Sequence, residues 1–342
     1  MKKKLGLFNK IIYWINLLVA FLLLISFLLP YIPPQRFPTL SLLSLAVSPL
    51  IIINSLFVLY WTFKLKLNGF LSASLLLIAH FHFGSFIQFS SEKNNLESKH
   101  SISVLSYNVR LFNAYQDKSS QESVPEILSE IIESKQPEII CIQEYYSNNH
   151  ADFSAYPYQF IHYKEKNKLG HAIFSKYPLL NTGSFEFEKT YNNSIYADVI
   201  KGNDTLRVYN LHLNSLGILP SVSFLQEGDK EKFRKRISKA FAKQEQQTEQ
   251  ILEHKKDSKY PVLLCGDFNN TSFSYVYKKL SNTMNDAFVD CGNGIGTTYL
   301  FDSFPMRIDY ILASKELEVV QFETIKNTFS DHYPVSAIVN FK

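Results

Sequence analysis

Three apolar runs at the start of the chain constrain it most: residues 11–32, 40–63 and 70–89 carry almost no charge. Each is about 20 residues long, and a helix of that length rises ~30 Å, the thickness of a bilayer's hydrocarbon core. Pro30, Pro33 and Pro34 part the first run from the second, and Lys64, Lys66 and Asn68 part the second from the third. Tyr13, Trp14, Tyr31, Tyr60 and Trp61 stand near the run ends, where amphipathic rings settle at a membrane–water interface. The pattern predicts a membrane segment over residues 1–89 with three transmembrane helices. The first run alone would also suit a cleaved signal peptide, but no small-residue cleavage site precedes Pro30 and two more runs follow. Asn16, Asn54, His80 and His82, the polar exceptions, are expected to pack between helices or lie near an interface.

Basic residues set the orientation. Lys2, Lys3, Lys4 and Lys10 precede the first run and Lys64 and Lys66 follow the second, whereas Arg36 stands alone between the first and second. The positive-inside rule then puts the N-terminus in the cytoplasm, and three crossings carry the rest of the chain to the far side. Residues 90–101, rich in Ser, Asn, Glu and Lys, read as a linker to a soluble domain over residues 102–342.

That domain has ordinary soluble chemistry. A formal charge of +4 carries no strong nucleic-acid signal by itself. Cys141, Cys265 and Cys291 lack metal-ligand spacing and are expected to be buried free thiols. Short apolar runs recur, each ending in polar groups. Residues 262–265 (VLLC) lead into Asp267, Asn269 and Asn270; residues 103–108 end in Asn108; residues 139–142 lead into Gln143 and Glu144. Buried strands read this way, and a carboxylate or amide at a strand end is held rigidly, which suits a metal or phosphate. Asx-rich turns form for local reasons too, so weight falls on the repetition of the pattern.

Residues 196–199 and 206–213 alternate as strands about a Gly202-Asn203-Asp204 turn, and His212 faces away from Leu211 and Leu213. Residues 125–134 and 233–252 have apolar positions at helical spacing. Residues 217–228 form an apolar-flecked insertion, read as a packed loop, a cleft wall or a segment that dips into the bilayer. The Gly-rich stretch 292–298 lacks the lysine and spacing of a nucleotide-binding P-loop. In residues 307–312 (RIDYIL) Asp309 is placed mid-strand, where burial would be costly without a partner. Asp331 and His332 follow in a loop, a metal-friendly carboxylate beside an imidazole able to move a proton near neutral pH.

In this order, SYNVR, IQEYY, YNLHLNS, CGDFNN, RIDYIL and SDHYPV resemble the endonuclease/exonuclease/phosphatase superfamily. The resemblance covers residues 101–342 and none of the membrane segment. It implies an α/β fold, a four-layer sandwich of two stacked, mainly antiparallel sheets flanked by helices. It implies Glu144 as principal Mg²⁺ ligand, with Mn²⁺ able to stand in, Asn108 beside it and Asp331 as a further acidic metal group. Asp267 would orient or deprotonate water, Asn269 would hold a phosphate oxygen or that water, and His212 would contact phosphate and help protonate the leaving group. His332 would act as acid/base, oriented by Asp309. His171 departs from the Asn that many relatives carry, and the acidic partner of His212 is left among Glu186, Glu188 and Asp198.

The expectation is a membrane-anchored, Mg²⁺-dependent phosphoesterase that hydrolyses phosphodiester bonds, nuclease-like first, with a phospholipid or lipid-linked phosphoester as the alternative. An inactive scaffold on the same fold is the rival class; the complete set of site residues argues against it. The expected setting is a bacterial inner membrane, with the catalytic domain in the periplasm, the bilayer and a phosphodiester as its partners, and no protein partner.

Overall fold

A computed structural model describes residues 5–84, 86–89, 100–114, 118–149, 151–164, 169–217, 229–302 and 304–342. The linker expected at 90–101 thus lies outside the described residues except for its last two, as does the insertion after Gly217.

Twelve strands form two six-stranded sheets. The first contains β1 (Ser101–Asn108), β2 (Ile139–Tyr146), β3 (Tyr158–Tyr163), β4 (Leu169–Ser175), β11 (Leu317–Thr324) and β12 (Val335–Phe341), in the order β11-β12-β1-β2-β4-β3. The second contains β5 (Leu179–Ser184), β6 (Ser194–Lys201), β7 (Asp204–His212), β8 (Val262–Asp267), β9 (Met284–Asp286) and β10 (Asp309–Ser314), in the order β9-β10-β8-β7-β6-β5. Each sheet is antiparallel except at one central pair: β1 runs parallel to β2, and β7 parallel to β8.

Period-two alternation explains the layers. Ile102, Val104, Ile139, Cys141, Val208, Leu263, Cys265 and Ile311 point between the sheets and form one core. Their neighbours in sequence point outward: Leu105, Tyr107, Ile140 and Ile142 pack under Ile127, Leu128 and Ile131 of one helix, while Tyr209, Leu211, Leu264 and Leu312 pack under Ile251 of another. All three cysteines are buried free thiols. The result is the expected four-layer α/β sandwich.

Five longer helices complete the chain: α1 (Leu7–Ser26), α2 (Leu43–Phe63), α3 (Phe70–Phe83), α4 (Lys118–Lys135) and α5 (Lys230–Lys256). Helix α5 starts earlier than the apolar spacing alone suggests because the Asp229 side chain accepts from the backbone N–H groups of Glu231 and Lys232, an N-cap that offsets unpaired donors of the first turn.

Helices α1, α2 and α3 form an antiparallel bundle. Asn16 of α1 joins all three, donating to Ser72 and accepting from Trp61 Nε1 at 3.0 Å. Asn54 is also buried and donates to the Leu50 carbonyl, whereas His80 is exposed and His82 packs on the rings of Phe27 and Tyr31. The outer surface stays apolar, with Phe8, Trp14, Leu18, Phe21, Leu56, Phe63 and Phe81 all exposed.

The third run differs from expectation. Two helices, Leu7–Tyr31 and Leu43–Phe63, have the length and composition to cross a membrane. Helix α3 stops at Gly84, whose left-handed backbone (φ +63°) caps it, so its 14 residues rise only about 21 Å. The remaining apolar residues of that run leave the helix, and Gln88–Phe89 pairs instead with Asn293–Gly294 of the sandwich. Nevertheless α3 runs alongside α1, with Phe83 packed on Phe27 and on Phe273 of the sandwich.

One end of the bundle is docked on the sandwich. Phe273 inserts among Ala20, Leu23, Leu29 and Val47, Thr271 donates to the Ser44 carbonyl at 2.9 Å, and Leu42 and Leu45 pack against Ile237 and Phe241 of α5. The basic residues Lys10, Lys64 and Lys66 lie at the opposite end.

Candidate active site

On the inner faces the core gives way to polar groups at the carboxyl ends of the two parallel strand pairs. Asn108 closes β1 opposite Gln143 of β2, and His212 closes β7 opposite Asp267 of β8. Asp309 pairs with Asp267 across β10 and β8. Beneath the cluster Gln143 Nε2 donates to Asn210 Oδ1 at 2.7 Å and to Ser106 Oγ at 3.1 Å, tying the sheets together.

Asp267 is the hub. Its Oδ2 accepts from Asn108 Nδ2 at 3.1 Å and Asn269 Nδ2 at 3.0 Å, and its Oδ1 from the Asn269 backbone N–H at 2.7 Å. His332 Nε2 and His212 Nε2 each stand 3.7 Å from the same Oδ2. Burial pushes the Asp267 carboxyl well above the usual carboxylate range, Asp309 adds to that, and His332 opposes it.

Glu144 reaches the cluster by a backbone irregularity. Simple alternation after the inward Gln143 would turn it outward. A register shift between Ile142 and Tyr145 and a φ of +54° at Glu144 re-aim it, as a bulge beside a site does. Its Oε1 lies 3.5 Å from Asn108 Nδ2 and 3.6 Å from His212 Nε2. Burial raises its carboxyl pKa, with Asp331 adding and His332 opposing.

The two imidazoles are unlike. His332 Nδ1 sits 3.1 and 3.0 Å from the two oxygens of Asp309. Burial disfavours charge on it, but Asp309 and Asp267 outweigh that and hold its pKa well above the usual value. His212 is driven the other way by burial, then by His171 and His332. Its Nε2 accepts from Asn192 Nδ2 at 2.8 Å, and its Nδ1 meets His171 Nε2 at 3.2 Å. Burial pushes His171 itself down to about 3.

None of the acidic residues weighed as partner for His212 fills that place: Glu186 pairs with His162, Asp198 with Arg207 and Asn181, and Glu188 is exposed. Asn192 and His171 stand there instead. Asn192, 20 residues away in a loop, gave no local signal. Asp309 opens β10 rather than sitting mid-strand, because Arg307 is drawn into a buried pair with Asp286 at 2.7 Å, among the rings of Phe288 and Tyr310.

Asp331 pairs with Arg110 at 3.6 Å at the edge of the site. Among the described residues, Asp267, Asp309 and His332 form one group whose ligand-type atoms all lie within 4.8 Å of one another. Of the sequence-derived metal group, Glu144 and Asn108 adjoin that triad. Asn108 turns its Nδ2 to the carboxylates while its Oδ1 accepts from the Arg110 backbone N–H. These oxygens fit a divalent cation, since Glu144, Asp267 and Asp331 are hard donors and positive charge beside the buried Asp267 would relieve the cost of burying its carboxylate.

Comparison with known proteins agrees with the geometry. The chain matches the model of the Endonuclease/Exonuclease/phosphatase family over residues 105–332, and a domain of unknown function over residues 9–86. No curated protein matches it. It is similar to the crystal structure of an endonuclease/exonuclease/phosphatase from Bacteroides vulgatus (TM-score 0.55, 17% identity, 71% of this chain and 99% of that one). It is also similar to that of a functionally unknown conserved protein from Enterococcus faecalis V583 (TM-score 0.53, 22% identity, 70% and 100%). A humanized D. rerio TDP2 shares the fold as well (TM-score 0.51, 15% identity, 71% and 100%). With the family model running from Leu105 in β1 to His332, across every candidate site residue from Asn108 onward, this chain belongs to the endonuclease/exonuclease/phosphatase family of phosphoric-ester hydrolases.

Proposed function

We propose that the protein is a membrane-anchored phosphodiesterase dependent on a divalent cation, Mg²⁺ in the first instance. One observation carries the reading: Asn108, Glu144, His212, Asp267, Asn269, Asp309 and His332 are brought by six separate stretches of chain to one cleft. Glu144 would hold the cation, with Asp331 contributing from the rim. When bound, the ion supplies Lewis-acid stabilisation of charge on phosphoryl oxygens.

The chain's own groups do the rest. Asn108 positions the Glu144 and Asp267 carboxylates through its Nδ2. Asp267, with a raised pKa and two fixed amide donors, orients water and takes its proton. Asn269 holds the water or a phosphate oxygen. His332, kept cationic by Asp309, neutralises phosphate charge and carries the proton that a leaving oxygen needs. His212 contacts the phosphate from the other side; its Nε2 already accepts from Asn192, so it is the poorer proton donor of the two.

The test uses the full chain in detergent with a chromogenic phosphodiester. Hydrolysis in Mg²⁺ that EDTA abolishes and added Mg²⁺ restores is the expected result. Equal rates with and without EDTA would remove the cation from the scheme.

Asp309→Asn separates the imidazole roles. With its carboxylate partner gone, the pKa of His332 falls toward its ordinary value, so the protonated form is lost at lower pH. The alkaline limb of the pH–rate profile should move down and the maximal rate fall roughly 10–100-fold, part of the ~10²–10⁴ that general acid–base catalysis supplies. An unmoved profile would break the pairing from function.

The bundle supports the topology as well. Its basic end, with Lys10, Lys64 and Lys66, lies opposite the docked sandwich, so the positive-inside rule puts the catalytic unit outside the cytoplasm, in the periplasm of a bacterium. A reporter fused after Lys342 should be active outside the cytoplasm; activity inside would reverse the orientation.

A further inference from the structure

The active-site cleft opens into a cavity of about 680 Å³ whose far wall is not made by the sandwich alone. Glu144, Asp267, Asn269 and His332 line one end. Leu45, Ala46 and Pro49, from the first turns of α2, line the other, facing Ile237 of α5 and Phe304 and Met306 of a short ribbon. Helix α2 is one of the two helices able to cross a membrane, so a wall of the catalytic cavity is continuous with the apolar bundle.

Charge argues in the same direction. A groove that follows a nucleic-acid backbone needs lysines and arginines along its length. Among the described residues lining this cavity, Arg110 is the one Lys or Arg, and it is paired with Asp331. Room, a mostly apolar lining interrupted only by the exposed Ser215 and Asp302, and the polar cluster at one end describe a site for an amphiphile.

Resting on the phosphodiesterase reading, we infer that the substrate is a lipid phosphoester, its phosphate at Asp267 and His332 and the first part of its hydrocarbon chain between α2 and the Phe304–Met306 strand. The shared chemistry is a phosphoester on a long alkyl chain; phosphatidylglycerol and a polyprenyl phosphodiester, each in phosphatidylcholine vesicles, distinguish a diacyl from a prenyl source.

The experiment uses the full chain in detergent and begins with binding, which needs no turnover. Calorimetry with dodecyl phosphate and methyl phosphate should show at least ~100-fold tighter binding of the former, a buried methylene being worth roughly fourfold. Ala46→Trp, which fills the cavity, and Phe304→Ser, which strips its wall, should each narrow that ratio at least about tenfold. In turnover, alkyl p-nitrophenyl phosphodiesters should rise in kcat/KM with chain length, and vesicle lipid should exceed plasmid DNA. Equal affinity for the two phosphates, a ratio untouched in both variants, or plasmid cleavage above lipid turnover would overturn the inference. Metal-dependent turnover without chain-length dependence sinks this inference alone. Absence of turnover with chain-dependent binding intact sinks the catalytic reading, and the inferred substrate with it.

Discussion

Glu144→Gln should lower Mg²⁺-stimulated hydrolysis by about 10²–10³-fold or more, the scale on which removing one preorganised electrostatic group acts. The substitution keeps the shape of the side chain and an oxygen facing Asn108 Nδ2, but removes the negative charge that a cation would need. Without metal, the variant should be at least as stable as the parent, because the carboxyl it replaces is one whose ionisation burial already disfavours. Thermal melts in EDTA and turnover in saturating Mg²⁺ therefore make a paired measurement. Activity within a few-fold of the parent would remove Glu144 from the cation site, and a collapsed melt would assign it to the fold.

Gly266→Ala should be costlier to the molecule than any single change to a catalytic side chain. Gly266 has φ +131°, and a Cβ there would fall 2.0 Å from the Leu211 carbonyl oxygen on the adjacent strand. Neither the backbone conformation nor the contact can be relieved by turning a side chain; β7 and β8 would have to part just before His212 and Asp267. Strain and overpacking together suggest a loss of about 3–5 kcal/mol, read as a fall of roughly 6–20 °C in Tm. A melt within about 2 °C of the parent would contradict the close strand approach.

Much of the site was legible because strand chemistry is local. Asn108 and Asp267 end runs whose apolar character already marks buried strands, and His212 faces away from two leucines by period alone. Glu144 was legible only by motif: alternation points it outward, and a bulge set by pairing with β4 turns it in. Asp309 was placed mid-strand because Arg307 and Ile308 look like strand residues; a partner 21 positions away, Asp286, decides otherwise. Asn192 could not be read at all, since its contact with His212 joins a loop to a strand end through space. In the N-terminal bundle, counting apolar residues made the third run as long as the others. It could not show that residues after Gly84 would be recruited as a strand by the Asn293–Gly294 turn.

The first strand of the sandwich, β1, is hydrogen-bonded to the last, β12, from Val335 opposite Ser106 to Asn340 opposite Ser101, and His332 lies just before that closing strand. A chain emerging from its N-terminus can thus form its helical bundle and build most of both sheets while the candidate site still lacks His332. Such long-range closure is slow relative to local folding, and it acts as a timing device: the candidate site gains its last member only when β12 seals the sheet against β1.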